Sequence, residues 1–408
     1  MTGENSSDRH LQTVSRRKRL WLIALGVGLL LVIAGLSLVT GIGRDRRSAD
    51  ERLVEIEAAR AIPDAENAAL IYNRLLQDPN AAAVLENPSD SLVEEIYTRR
   101  TLYEPWLSKD HPELAAWLTQ HQFIIDGLME ACRLEKCRFP VVIDIANTSP
   151  ITRMAPMRRW GFLFRLAANN DVAEGCIDAA LTKWQCLLRI GNHLHQQPDL
   201  LSHLLANNME KMALESMAHF LVTGTPIEMH LRRMEAMSPP TKDCWAEYDR
   251  EIRAIDALIS QKVKEQINPR DYIRHPVQTL QANRVINSMT NDPSRSDDVR
   301  HLYQGSIATA RGVRILVALR RVRNTTGRWP ASLDEIGASL PAEILTDPFH
   351  QGPFVYKPAA DTFRLYSRGP NNIDEDGKWD PDAGPDDWPI WPPRDRIGRA
   401  EPNDVNKP

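Results

Sequence analysis

The chain has no surplus of basic charge: 50 Lys and Arg stand against 54 Asp and Glu over 408 residues, for a net charge of -4. Proteins that grip phosphate backbones carry a basic domain or stripe, so nucleic acid is not an expected partner. Cysteine is scarce, at five residues. Cys132 and Cys137 have neither a second cysteine pair nor histidines at zinc-finger spacing, which argues against a structural zinc site. No GxSxG elbow and no HExxH pair occur, which removes the common serine-hydrolase and zinc-protease layouts. His193, His195 and His203 cluster in GNHLHQQPDLLSHLL, but helix neighbours two apart point to different sides and no fixed carboxylate accompanies them. A self-repeating 34-residue period is also missing, so a tetratricopeptide-type array is not expected.

With 42% hydrophobic and 25% charged residues, the chain has the proportions of a globular protein with one large core or two modest ones. One apolar run stands apart. Leu20 to Ile42 holds 23 uncharged residues, and at ~1.5 Å per residue such a helix spans a ~30 Å hydrocarbon core, so a single transmembrane helix is expected there. A cleaved signal peptide fits less well, because its apolar region is about 7 to 15 residues long and ends in a small-residue cleavage site. Arg16, Arg17, Lys18 and Arg19 precede the span and Arg44, Arg46 and Arg47 follow it. The positive-inside rule then keeps residues 1-19 as a basic cytoplasmic tail and puts the bulk on the periplasmic side of a bacterial inner membrane. There, Cys132, Cys137, Cys176, Cys186 and Cys244 have the option to pair, or to serve as small buried hydrophobes.

Residues 50-305 read as an irregular antiparallel helical domain, rich in Ala, Leu, Glu, Arg and Met and broken by Pro or Asn-Asp about every 15 to 30 residues. Asp171 with Glu174 reads as a capping box before IDAALTKWQCLLRIGNHL, Pro198 as the opening of the next helix, and Gly224 as a left-handed stop. Thr225, Pro226 and Glu228 read as the start of a third helix. Trp160, Trp184 and Trp245 sit in apolar helical contexts and are expected to pack in the core.

From about residue 306 to 391 the pattern becomes that of a small α+β unit. SIATARGVRILVALRRVRN places Ala308, Ile315, Leu319 and Val322 on one helix face, with Arg311, Arg314 and Arg321 on an opposite, solvated one. Gly327 can stop that helix, and Ser332 with Glu335 can cap a short one. Phe354 to Lys357 and Thr362 to Ser367 are aromatic and β-branched runs across the turn Pro358 to Asp361, a predicted β-hairpin. Then comes NNIDEDGKWDPDAGPDDW, with seven carboxylates and one lysine. Two like charges about 6 Å apart in water repel by roughly 0.7 kcal/mol, so the stretch favours either a solvated tail or a bound cation. Asn372, Asp374 and Asp376 alternate before Gly377, as in the first half of a DxDxDG calcium loop, with Asp380 placed for a further contact. Position twelve would be Ala383, so a complete sphere must draw on Asp382, Asp386 or Asp387, and the loop is not an EF-hand. Calcium is the expected cofactor, as a structural ion. Residues 392-408 read as a flexible tail.

In order, the long helix, TTGRWP, a short helix, the Asp347 to Gly352 turn, the hairpin ending in LYS and the acidic loop resemble the carboxyl-terminal domain of the major, G-type pseudopilins of type II secretion. The resemblance spans Ser306 to Trp388, and it implies a calcium-binding loop after the hairpin. RRKRLWLIALGVG departs from the pseudopilin amino terminus, lacking its cleavage junction and its helix glutamate. A filament subunit is therefore not expected. The whole chain is more similar to bacterial membrane-anchored proteins in which a helical body, opening with a segment like IPDAENAALIYNRLL, carries this unit at its end. The resulting expectation is a noncatalytic envelope protein that contacts an unknown protein partner or acts as a scaffold, beside a secretion or pilus-like system. An enzyme with a site in the helical domain, or a lipid- or peptide-binding helical module, are the alternatives.

Overall fold

Short polar side chains set several of the helix starts. Ser48 and Glu51 cap each other, with Glu51 N donating to Ser48 Oγ at 3.1 Å and Ser48 N to Glu51 Oε2 at 2.9 Å, and open helix α1 (Ala49–Ala59). Asn67 accepts from Ala69 N at 3.1 Å and opens α2 (Ala68–Gln77). The computed structural model describes residues 48-140, 150-239, 245-266, 293-359, 361-379 and 386-393. The run Leu20 to Ile42, Cys244, Asp380, Asp382 and the terminal tail from residue 394 lie outside the described residues. Among the described residues no helix is long and apolar enough to cross a membrane. The chain divides into Met1–Arg52 and Leu53–Pro408.

Within the second unit, α3 (Pro112–Gln120) and α4 (Gln122–Ala131) precede three long helices, α5 (Pro150–Ala173), α6 (Ile177–His195) and α7 (Leu200–Thr223). The three pack on one another across short links and bury Trp160, Phe164, Trp184, Leu187, Met209 and Leu221. Helix α8 (Glu228–Met237) follows, then α9 (Trp245–Gln266) and the 34-residue α10 (Pro293–Thr326). A small separate seam joins Leu53 and Ile56 of α1 to Ile255 and Leu258 of α9. Strands β1 (Val355–Pro358), β2 (Phe363–Ser367) and β3 (Trp388–Trp391) form one antiparallel sheet in the order β1-β2-β3. The protein is thus mainly helical with a small sheet, and one hydrophobic cluster runs from Ala68 to Trp391, through both the body and the sheet.

The helix ends differ in detail from the sequence reading. Asp171 lies inside α5 and pairs with Lys183, while Glu174 accepts from Ser108 N at 2.8 Å. The two therefore form no capping box, and α6 starts at Cys176 without a side-chain cap. Asp199, not Pro198, caps α7 by accepting from Ser202 N at 2.8 Å. Gly224 ends α7 in extended backbone (φ -84°, ψ -170°). Its missing side chain is explained by Phe220, whose ring would lie 2.4 Å from an added Cβ. Ile227 occupies the N-cap of α8, two residues later in the chain than the expected cap Thr225. Helix α10 begins at Pro293, ahead of residue 306. Gly327 does stop it, at φ +78° and with its N donating to Arg323 O at 2.8 Å.

The arginines of α10 do not form a solvated face. Buried Arg311 donates to Thr346 O at 2.8 Å and pairs with Glu343 at 3.1 Å, so it straps the following loop onto the helix. Arg321 bridges Glu228 and Glu235 of α8. Arg320, also buried, donates to Leu221 O at 3.3 Å and satisfies a carbonyl in the last turn of α7. A charge at helical spacing reads as exposed unless a carbonyl or carboxylate from elsewhere meets it, and that partner is invisible in a local pattern.

Candidate functional site

The sheet is seated on α10 through two glycines. A Cβ at Gly305 would lie 2.4 Å from the Trp388 ring, and one at Gly312 would lie 2.4 Å from Ile390. The two are seven residues apart and so share a helix face, leaving a trough that β3 fills. Between them, Thr309 Oγ1 accepts from Trp388 Nε1 at 2.9 Å and donates to Gly305 O at 2.8 Å. Helix α7 closes the other side, with Lys211 5.1 Å above the Trp388 ring and His219 6.0 Å from that of Trp391.

Anchored in this way, β2 and β3 hold the two ends of the acidic loop. Gly369 has φ +62°, and a Cβ there would lie 2.1 Å from Asp386 O, so the outgoing and returning chains touch backbone to backbone. Asn371 accepts from Ile373 N at 2.6 Å and Asp374 from Asp376 N at 3.0 Å, two turns closed by side chains. Asn372, Asp376 and Gly377 all have positive φ, between 57° and 75°, a region that Asn, Asp and Gly tolerate best. The NNIDEDG run is therefore turn chemistry in the first instance.

The carboxylates fall into two groups. On the outer side, Lys357 and Arg364 are directly opposite in the β1-β2 register, a like-charge pair that would repel if left alone. Asp376 answers both: Oδ1 lies 3.0 Å from Lys357 Nζ, and Oδ2 meets Arg364 Nη1. Asp374 lies 3.1 Å from Lys357 Nζ and accepts from the Tyr366 hydroxyl at 2.6 Å. The Tyr366 hydrogen bond holds Asp374 below the usual carboxylate range, and the Lys357 hydrogen bond does the same for Asp376.

On the inner side the arrangement is a reciprocal clasp. Asp387 Oδ2 accepts from Glu375 N at 3.0 Å and Gly377 N at 2.7 Å, while Glu375 Oε2 accepts from Asp386 N at 2.8 Å and Asp387 N at 3.3 Å. Asn371 completes it, through Nδ2 to Glu375 Oε1 at 2.9 Å and N to Asp386 Oδ2 at 3.2 Å. Asp387 is fully buried, and burial pushes its carboxyl up to about 6. Burial raises Asp386 as well, with the Glu375 charge adding to it. Among the described residues the second oxygens, Asp386 Oδ1 and Asp387 Oδ1, are buried without a hydrogen-bond partner.

Of the seven expected calcium ligands, Asp374 and Asp376 thus face basic side chains, Asn372 is exposed, and Asp386 and Asp387 stand together with Glu375. Asp380 and Asp382 lie outside the described residues. Among the described residues no three His, Cys, Asp or Glu side chains converge as a metal site. The inner donors are nonetheless hard oxygens, two of them unsatisfied, which is the chemistry a calcium ion accepts. Glu375, Lys357, Arg364 and Tyr366 escaped the sequence reading. For Lys357 and Arg364 the signal is their outward position on the hairpin, where exposed Arg364 stands between buried Phe363 and Leu365, while Tyr366 is itself buried with its hydroxyl on Asp374.

Elsewhere, His193 is a buried packing histidine. Its Nε2 lies 3.0 Å from Leu134 O and so carries the proton, leaving Nδ1 to accept from the Tyr72 hydroxyl at 2.8 Å. His195 meets His203 at 3.1 Å and Glu210 at 3.3 Å. A surface recess of about 310 Å³ opens beside Val84, Leu85, Leu92, Trp117 and His121. Comparison with protein-family models, curated proteins and solved structures gives no match.

Proposed function

We propose that this protein is a noncatalytic, membrane-anchored envelope protein whose sheet presents the acidic loop to a protein partner, with a calcium ion completing the inner side of that loop. The anchor is the apolar run Leu20 to Ile42. The observation that carries the reading is the division of the loop's carboxylates. The outer pair is neutralised by Lys357 and Arg364, whereas Glu375, Asp386 and Asp387 are clasped around backbone N–H groups with two oxygens left over. A divalent cation relieves that excess negative charge, with Asp386 and Asp387 as its first ligands and carbonyls, water, Asp380 and Asp382 as the candidates for the rest. Magnesium demands a stiffer octahedron and is the poorer fit.

The contact surface is read from what the loop leaves outside. Ile373 is 60% exposed and Trp379 42% exposed, two large apolar side chains on a strongly acidic segment. Apolar anchors rimmed by charge suit a partner with a basic rim around an apolar pocket. A position beside a secretion or pilus-like apparatus follows from the pseudopilin resemblance.

The test joins both parts. A photo-crosslinking residue at Ile373 in the full chain, in envelope membranes, should give one discrete adduct that is lost on chelation and restored by calcium but not magnesium. Calorimetry on the full chain in detergent should register one calcium ion. Absence of calcium heat removes the ion from the proposal, and absence of an adduct in calcium removes the contact surface.

A further inference from the structure

Two of the free cysteines meet inside the helical body. Cys132 ends α4 and Cys186 lies in the middle of α6, 54 residues further along the chain. Cys132 Sγ lies 3.4 Å from Cys186 O and donates to it, which sets the two cysteines side by side across α4 and α6. Tyr72 of α2 lies near the pair, with its hydroxyl donating to His193 Nδ1 at 2.8 Å. Cys137 is also buried, and Cys176 is exposed at the start of α6. Neither thiol of the pair serves the acidic loop, which lies on the sheet at the other end of the sequence.

We propose that Cys132 and Cys186 form a disulfide that staples α4 to α6, closed by exchange with a small oxidised disulfide of the glutathione type. The Cys186 thiol is the attacking group. The Cys132 thiol beside it, with Lys183 and Arg189 nearby, holds it below the ordinary thiol value, whereas burial pushes Cys132 up. The Cys186 thiolate attacks one sulfur of the oxidant, giving a mixed disulfide, and the released thiolate takes up the proton that Cys186 lost. The Cys132 thiolate then attacks Cys186 Sγ, and the oxidant's second sulfur leaves with the Cys132 proton. Two protein S–H bonds become one S–S bond, and one oxidant disulfide becomes two thiols. Both sulfurs are poorly accessible in the folded chain, so the exchange belongs to folding or to local opening of the α4 end. A link across 54 residues removes chain entropy from the unfolded state and stabilises the fold.

The full chain is refolded at pH 8 with oxidised glutathione or with dithiothreitol, unfolded in iodoacetamide, and digested without reduction. Mass spectrometry should recover Cys132 and Cys186 as one linked peptide in the oxidised sample, with Cys176 alkylated. The oxidised form should melt several degrees above the reduced one, and Cys186→Ser should abolish that difference. Recovery of both cysteines as alkylated thiols after oxidation overturns the proposal, as does a dominant link to any other cysteine. Equal melting of the two forms overturns the staple. If Cys186→Ser does not fold, the wild-type peptide map and melting pair decide the question alone.

Discussion

Asp387 shows how one buried carboxylate sets the behaviour of its surroundings. One oxygen organises two backbone N–H groups, the other has no partner among the described residues, and the group's folded value of about 6 exceeds the ~3.9 of an unfolded aspartate. The folded state therefore binds the proton more readily, so the metal-free protein gains stability as pH falls from about 6 towards 4. Asp387→Asn keeps an acceptor for Glu375 N and Gly377 N and removes the charge. We expect it to raise the melting temperature in chelator at pH 7.5, to erase the acid-side gain, and to abolish the rise that calcium gives the wild type. A variant that melts lower in chelator and still responds to calcium would show that the carboxylate is satisfied in another way. The clasp was only half legible in the sequence. Asp386 and Asp387 stood out as acid in an acidic run, but Glu375 became their partner only because β3 brings the chain back alongside it.

At the scale of elements, the docking of β3 on α10 rests on Gly305, Thr309 and Gly312. Alanine favours a helix over glycine by about 1 kcal/mol. Overpacking against a fixed ring or branched side chain costs about 1 to 3 kcal/mol, and the 2.4 Å clashes at both sites put the steric penalty ahead. Gly305→Ala and Gly312→Ala should each lower the melting temperature and change the Trp fluorescence. Gly337→Ala, whose Cβ meets nothing within 4 Å, should not. The hairpin was visible beforehand, because its strands alternate aromatic and polar residues. Strand β3 was not: WPIW is four residues long, carries a proline, and has no turn linking it to a neighbour. Its partners are set by tertiary packing, and the only local trace was the pair of small residues seven apart on α10.

For the whole molecule, helical class and the existence of a terminal sheet were readable, since both follow from the spacing of apolar residues. Helix ends and arginine roles were not, since they depend on partners far along the chain. The same long-range burial gives the protein an acid-side weakness. Burial lowers His193 and His203 to about 4, with His195 adding to the effect at His203. Each contributes stability that is fully present above the unfolded value of about 6.5 and is lost as pH falls through 4. The loss is on the order of 3 kcal/mol per histidine. In an Asp387→Asn background, which removes the opposing trend, melting should fall steeply between pH 6.5 and 4, and His203→Gln should flatten that fall by about half. A profile unchanged by His203→Gln would show that the His203 ring is not held neutral by burial. The trough on α10 sets one further condition. Because each residue advances a helix by about 100°, deleting a single residue between positions 305 and 312 would swing one glycine away from its strand residue. This stretch should accept many changes of identity at its outward positions across related chains, yet almost no change in length.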